Sequence, residues 1–415
     1  MNNEKKLVPK LRFPEFTHAW EQRKLGDLGN TFTGLSGKTK EDFGHGDAKF
    51  ITYLNVFNNS ISDLNGTEQI EIDPKQNSVE YGDILFTTSS ETPNEVGMSS
   101  VWLGNAENVY LNSFCFGYRL NQKMDLHFLA FLLRSPEIRQ KFTLLAQGIS
   151  RYNISKTKVM EMSIFVPEIE EQQKIGTFFT ALDRYITIHQ RKLENVKKLK
   201  AGLLQKMFPK NDQEFPEIRF PEFTYAWEQR KLGDLVQRVV RKNKNLESTL
   251  PLTISAQYGL VDQNEFFNKV IASKDVSGYY LIEKGEFAYN KSYSNGFPWG
   301  AIKRLDLYPK GVLSTLYILF KPTNVNSDFL TKYYETTRWH SEISRHAAEG
   351  ARNHGLLNIA TEDFFKTKLT IPKLDEEQQK IGAFFTALDR YITIHQRKLE
   401  NMQKLKKSLL QQMFV

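Results

Sequence analysis

The chain has 415 residues, 40% hydrophobic and 13% aromatic, and carries a formal charge of +8. That length and apolar content suit two or three soluble domains with cores of their own, and no stretch approaches the 18 or more uncharged apolar residues of a membrane helix. The single cysteine, Cys115, excludes internal disulfides and a thiolate zinc cluster, and with no apolar signal core in MNNEKKLVPKLRF a reducing cytoplasm is the expected compartment.

In chain order the first recognisable element is a short frame, RFPEFTHAWEQRKLGDL at 12–28, which returns as RFPEFTYAWEQRKLGDL at 219–235 with only His18 and Tyr225 different. A long frame, EEQQKIGTFFTALDRYITIHQRKLENVKKLKAGLLQKMF at 170–208, returns at 376–414 with six differences over 39 positions. The inserts 29–169 and 236–375 show no comparable identity. Two copies at so long a period mean an internal duplication rather than a solenoid. The expected divisions are a first domain over 1–169, a helix over 170–208, a second domain over 209–375 and a second helix over 376–415. Net charge over these segments is −2, +4, +3 and +3, so most of the basic excess lies on the repeated frames. Such an excess suits contact with a polyanion, although for charge alone the solvated face of a helix is the commoner cause.

The first insert reads as strands at KFITYLNVF, YGDILFTTSS and NVYLNSFCFGYRL, followed by helices over DLHFLAFLLRSPEIRQKFTLLAQG. The second repeats that order with EKGEFAYNKSYS, GVLSTLYILFKP and SDFLTKYYETTRWHSEISRHAAEG, so both are expected to be α+β domains of one fold. After GDILF comes the polar loop Thr87, Thr88, Ser89, Ser90, Thr92 and Asn94, and after GEFAY comes Asn290, Lys291, Ser292, Tyr293, Ser294 and Asn295. Past the helices stand GISRYN, with Arg151, Tyr152 and Asn153, and GARNH, with Arg352, Asn353 and His354. These residue types serve phosphate and base-edge contacts, and they also populate any solvated loop.

In the first long frame Ile175, Phe179, Leu182, Ile186, His189 and Leu193 follow at alternating steps of four and three. The second keeps the seam as Ile381, Phe385, Leu388, Ile392, His395 and Leu399, so each frame predicts a helix of about ten turns with a coiled-coil stripe. Pro167 and Pro372 mark the helix starts. A helix roughly 60 Å long cannot be returned to its start through one compact domain with a radius of gyration of about 14 Å. The two helices are therefore expected to pack antiparallel. The fold class that results is α+β: two similar globular domains separated by two long helices in an antiparallel intramolecular coiled coil, pseudo-two-fold symmetric.

Signatures of chemistry are missing. TGLSGKT at 33–39 lacks the first glycine of a phosphate-binding loop, which would fall at Phe32, and there is no GxGxxG, no HExxH and no paired-carboxylate pattern. His340, His346 and His354 are spaced by six and eight, which does not stack ligands on one helix face. No catalytic residue and no metal site are assigned.

The plan of two differing domains and two nearly identical long helices, with RFPEF and WEQRKLGDL before each domain and EEQQKIG opening each helix, resembles the specificity subunit of type I restriction-modification systems. The resemblance covers essentially the whole chain. It implies a non-catalytic subunit whose two inserts are target recognition domains, each reading one half of a split double-stranded DNA site. It implies too that the helices set the spacing and dock two methyltransferase (modification) subunits, directing adenine methylation, while two restriction (motor-nuclease) subunits supply ATP-dependent cleavage. S-adenosylmethionine, ATP and Mg2+ would then sit on the partners, and this chain would carry no cofactor. A coiled-coil scaffold with two protein-binding domains and no DNA role is the reading from another class; a nuclease in its own right would need metal-dependent cleavage by this chain alone.

Overall fold

The computed structural model describes residues 7–210, 213–255, 258–269, 272–273, 275–292, 297–347, 357 and 359–415. Pro167 and Pro372 follow the strands Ser163–Val166 and Lys368–Ile371, and the long helices Ile169–Lys206 and Asp375–Gln412 start within three residues of them. Each helix has 38 residues, about 57 Å at 1.5 Å per residue. Glu170 and Glu171 stand in the first turn of one, and Asp375, Glu376 and Glu377 in that of the other, where the helix dipole favours anions. Along the stripe Ile175, Phe179, Ile186, Leu193, Ile381, Phe385 and Leu399 are buried, and Leu182, His189, Leu388, Ile392 and His395 are half-buried.

The chain divides into two units, residues 1–191 with 397–415, and residues 192–396. The first therefore contains the start of its own long helix and the end of the other. There Phe179 stacks on Phe414 and Asp183 pairs with Lys406 at 2.5 Å, so the two helical stretches run antiparallel. The second unit repeats the arrangement with Phe385 against Phe208 and Asp389 bound to Lys200 at 2.6 Å.

Both units are built on a four-stranded antiparallel sheet of the same order. In the first the strands run Gly29–Thr33, Cys115–Leu120, Ile84–Thr87, Ser99–Val101; in the second they run Val236–Val239, Ile318–Pro322, Phe287–Asn290, Ala301–Arg304. A helix pair covers one face, Leu126–Leu132 with Pro136–Leu145 in the first unit and Ser327–Tyr333 with His340–His346 in the second. Three expected strands are corrected: NVYLNSFCFGYRL divides into Val109–Leu111 and Cys115–Leu120, and GVLSTLYILFKP into Lys310–Leu313 and Ile318–Pro322, the two pieces of each lying in different sheets. KFITYLNVF stays extended only to Ile51 and becomes the helix Tyr53–Asn58, because the Thr52 hydroxyl caps Asn55 N at 3.2 Å and the buried Asn55 amide bonds the Asp63 and Gly66 carbonyls at 2.8 Å. The β-branched and aromatic run that suggests a strand is overruled by its cap.

The repeated frames are fastened to each other inside each unit. The strand Glu21–Lys24 of WEQRK pairs antiparallel with Ser163–Val166, just before the long helix, and Glu228–Lys231 pairs likewise with Lys368–Ile371. Arg12 of RFPEF forks both oxygens of the buried Glu171 at 2.7 Å and donates to the His18 carbonyl at 2.6 Å. Arg219 does the same to Glu377 and the Tyr225 carbonyl, at the same distances. Gln172 accepts from Asp125 N at 3.0 Å and donates to the Pro167 carbonyl at 2.8 Å, while Gln378 takes Asn326 N at 2.9 Å and the Pro372 carbonyl at 3.0 Å. Glycine closes the joint. A Cβ on Gly176 would stand 2.6 Å from Phe128 N, and one on Gly382 2.8 Å from Phe329 N, so only glycine lets the domain helix abut the long one. EEQQKIG is thus a socket for the domain behind it.

Candidate nucleic-acid interface

In the first unit the two loops singled out in the sequence meet. Strand Ile84–Thr87 runs into Ser89–Ser90, which pairs antiparallel with Tyr152–Asn153, Tyr152 facing Ser90 and Asn153 facing Ser89. Ile154 N then bonds the Thr88 carbonyl at 3.0 Å. Below the ladder the half-buried Tyr53 donates its hydroxyl to the Ser89 carbonyl at 2.8 Å, and Arg151 lies over the exposed Phe114 ring at 5.7 Å with Nε 3.3 Å from Ser89 Oγ.

This geometry sorts the residues. Thr87, Ser89 and Ser90 are corrections, since all three are buried and cannot meet a ligand at the surface. Thr87 Oγ1 accepts from Met98 N at 3.0 Å, and Ser90 Oγ reaches Glu95 at 3.3 Å, so these hydroxyls hold the loop's shape. Thr88 is half-buried and donates to the Phe114 carbonyl at 2.7 Å. Thr92, Asn94, Arg151 and Asn153 are exposed, and Tyr152 is half-exposed beside them.

Sequence reasoning missed three side chains at this place: Tyr53 and Phe114, which support the loops, and Arg139. The Arg139 guanidinium donates to the carbonyls of Asn94 at 3.0 Å, Val96 at 2.5 Å and Gly97 at 2.7 Å, and burial pushes its pKa down to about 10, so it stays charged at neutral pH. Nothing in the spelling of Tyr53, Phe114 or Arg139 marks them, because tertiary packing alone brings them under the loop.

The second unit keeps the junction with other letters. Leu357 N bonds the Lys291 carbonyl at 3.0 Å, as Ile154 N bonds that of Thr88. The Asn290 carboxamide accepts from Ser292 N at 3.0 Å and Lys291 Nζ reaches the Ile359 carbonyl at 3.4 Å, all three residues being half-buried. Tyr293, Ser294, Asn295, Arg352, Asn353 and His354 lie outside the described residues. Among the described residues no group of three or more His, Cys, Asp or Glu could hold a metal ion, and no helix is long and apolar enough to cross a membrane.

Comparison with known families decides what the doubled plan is. The model of the type I restriction modification DNA specificity domain matches residues 18–198 and, again, 225–404. The chain belongs to that family. It is 22% identical over 419 residues to the type I restriction enzyme MjaVIII specificity subunit of Methanocaldococcus jannaschii, covering 96% of this chain and 92% of the relative. It is 25% identical over 236 residues to a protein of the same organism named as the MjaX specificity subunit, a match that spans 54% of each chain. The fold resembles the S subunit of a type I restriction-modification system from M. genitalium, with a TM-score of 0.58 at 16% identity over 98% of this chain and 99% of that one. It also resembles a chain solved in a study of complex assembly and conformational transition of the type I system, at TM-score 0.52, 14% identity and coverage of 94% and 96%.

The specificity subunit is the non-catalytic, DNA-recognising member of its system, with DNA and the other restriction-modification subunits as its partners. Its two α+β units and its two long helices are the parts the sequence anticipates.

Proposed function

We propose that each unit reads one half of a split double-stranded DNA site, the first with the surface around Arg151, Tyr152, Asn153, Thr92 and Asn94, the second with the surface beside Asn290, Lys291 and Ser292. One observation supports this reading above others: the sockets that join frame to domain use the same arginine, glutamate, glutamine and glycine of the frame in both units, while the loops mounted on them differ. Equal sockets suit two copies of one partner, and different loops suit two different half-sites. The long helices set the half-site spacing. Two methyltransferase subunits dock on the repeated frames and bring S-adenosylmethionine; two restriction subunits bring ATP and Mg2+. The work is done in the cytoplasm.

Exchanging residues 29–169 for those of another specificity subunit tests this reading. Methylated-base sequencing of DNA treated with the resulting complex should show a new first half-site, with the second half-site and the spacer kept. Methylation indifferent to the exchange would leave a protein-binding scaffold as the better account.

Within the first half-site, Arg151→Gln is expected to cost about 1–3 kcal/mol of discrimination at one or two base pairs and none in the other half, the usual worth of one arginine contact. Competition between DNAs altered in each half in turn measures it; a loss shared equally by all DNAs would remove Arg151 from the reading surface.

A further inference from the structure

The second unit contains a cavity of about 570 Å3, bordered by Phe297 and Gly300 at the end of its reading loop, by Lys303, by Trp339 and His340, and by both long helices. Ligand sites commonly have volumes of roughly 300–1,000 Å3.

Matched hydrogen bonds show how this space arises. Ser135 N bonds the Leu132 carbonyl as Thr336 N bonds that of Tyr333, which sets Arg139 of the first unit and His340 of the second at the same place. Strand pairing sets Ser99 opposite Phe86 and Ile302 opposite Tyr289, so Gly97 corresponds to Gly300, and both have positive φ, 64° and 77°. In the first unit the long Arg139 side chain reaches the loop carbonyls and fills the space beneath them. In the second His340 is shorter, and burial lowers its pKa, so the ring is neutral and the space stays open.

The charged residues lining this cavity are Lys200, Lys303, Glu335 and Asp389, and Lys332 stands behind the two carboxylates. Lys200 pairs with Asp389 at 2.6 Å and Glu335 at 2.7 Å, and Lys332 pairs with Glu335 at 2.7 Å and with Asp389, closing two lysines on two carboxylates. Lys303 is the third lysine. Its side chain is largely desolvated, which lowers its pKa, and it has no hydrogen bond or ion pair among the described residues. An unmatched cation in a partly dry cavity calls for acceptor oxygens with negative charge. The space greatly exceeds one oxyanion, and Leu204, Ile302 and Ile392 offer apolar wall to an organic remainder.

We propose that this cavity binds a phosphate ester, with Lys303 as its cation. Both a DNA phosphodiester and a free nucleotide present that chemistry. The test uses the full chain in complex with its modification subunits, as the parent and as K303Q, K303R and K310Q. In the first arm, inorganic phosphate is titrated and followed by phosphorus NMR; in the second, the salt dependence of binding to a duplex carrying the site is measured.

In the first arm K303Q should weaken phosphate binding tenfold or more, K303R should keep it within about threefold, and K310Q, at a lysine outside the cavity lining and paired with Glu247, should match the parent. If phosphate binding falls and the salt slope is unchanged, the ligand is a free ester. If the slope against log salt falls by about 0.9, the value for one phosphate contact on duplex DNA, the ligand is the DNA backbone. K303Q equal to the parent in both arms overturns the proposal. The phosphate arm stands apart from DNA reading, so failure of one does not imply failure of the other.

Discussion

Replacing Arg219 by methionine is expected to destabilise the second unit by about 3–5 kcal/mol, because it leaves a buried carboxylate without its counter-charge. Glu377 is 1% exposed and takes both its cationic bonds from Arg219, with Trp227 Nε1, at 3.2 Å, as the one further side-chain donor among the described residues. Methionine fills the volume of the stem but brings no donor. The companion variant Arg219→Met with Glu377→Leu should recover most of the loss, since a buried pair replaced whole by apolar groups is often neutral. Urea unfolding followed by tryptophan fluorescence reads both. Arg12→Met should cost the first unit at least as much, because Trp20 Nε1 makes no bond there and Glu171 depends on Arg12 the more. A loss below about 1 kcal/mol at either site would mean that water reaches the carboxylate and that the socket is not dry.

Phe208→Ala should cost about as much, roughly 3–5 kcal/mol, by a different route. The residue lies just past the first long helix, yet its ring sits in the second unit's core, 1% exposed, with Trp227 at 6.0 Å, Phe329 at 5.5 Å and Phe385 at 6.2 Å. Truncation leaves a cavity among rings too large to collapse into it. Leu199→Ala, on the same helix but 57% exposed, should change stability by less than about 0.5 kcal/mol. Equal losses for the two would show that helix propensity, rather than docking of the helix end, sets the stability.

Much of the fold is legible because its strongest signals are periodic or duplicated. The 3.5-residue stripe from Ile175 to Leu193 and its copy specify two helices directly, and the shared order of strands and helices in the inserts marks them as one fold. Boundaries failed where a local side chain outvoted the pattern, as Thr52 and Asn55 did at the helix Tyr53–Asn58. The reading surface was legible in place and not in detail. Sequence position alone could bring forward the loops after Phe86 and before Ile154; it could not say that they form one ladder or that Thr87, Ser89 and Ser90 face inward. Burial of a hydroxyl depends on what packs above it, and Tyr53, Phe114 and Arg139 come from three distant parts of the chain. The constancy of EEQQKIG is likewise visible as spelling, whereas its cause, a carboxylate, an amide and a glycine each meeting the domain behind, is visible only in three dimensions.

The packing of Phe414 on Trp20 and Phe179 governs the order in which the protein can be made. The second unit is continuous, so every residue of its core is available once position 396 has left the ribosome. The first is not, because its aromatic core waits for residues 397–415. At about 5–20 residues per second, the stretch between the two parts takes on the order of ten to forty seconds to synthesise, during which the pocket of Trp20, Phe128 and Phe179 has no lid of its own. The earlier-made unit is therefore the last to receive its final residues, and any chain whose synthesis stops early presents an open aromatic face to the cell's chaperones and proteases.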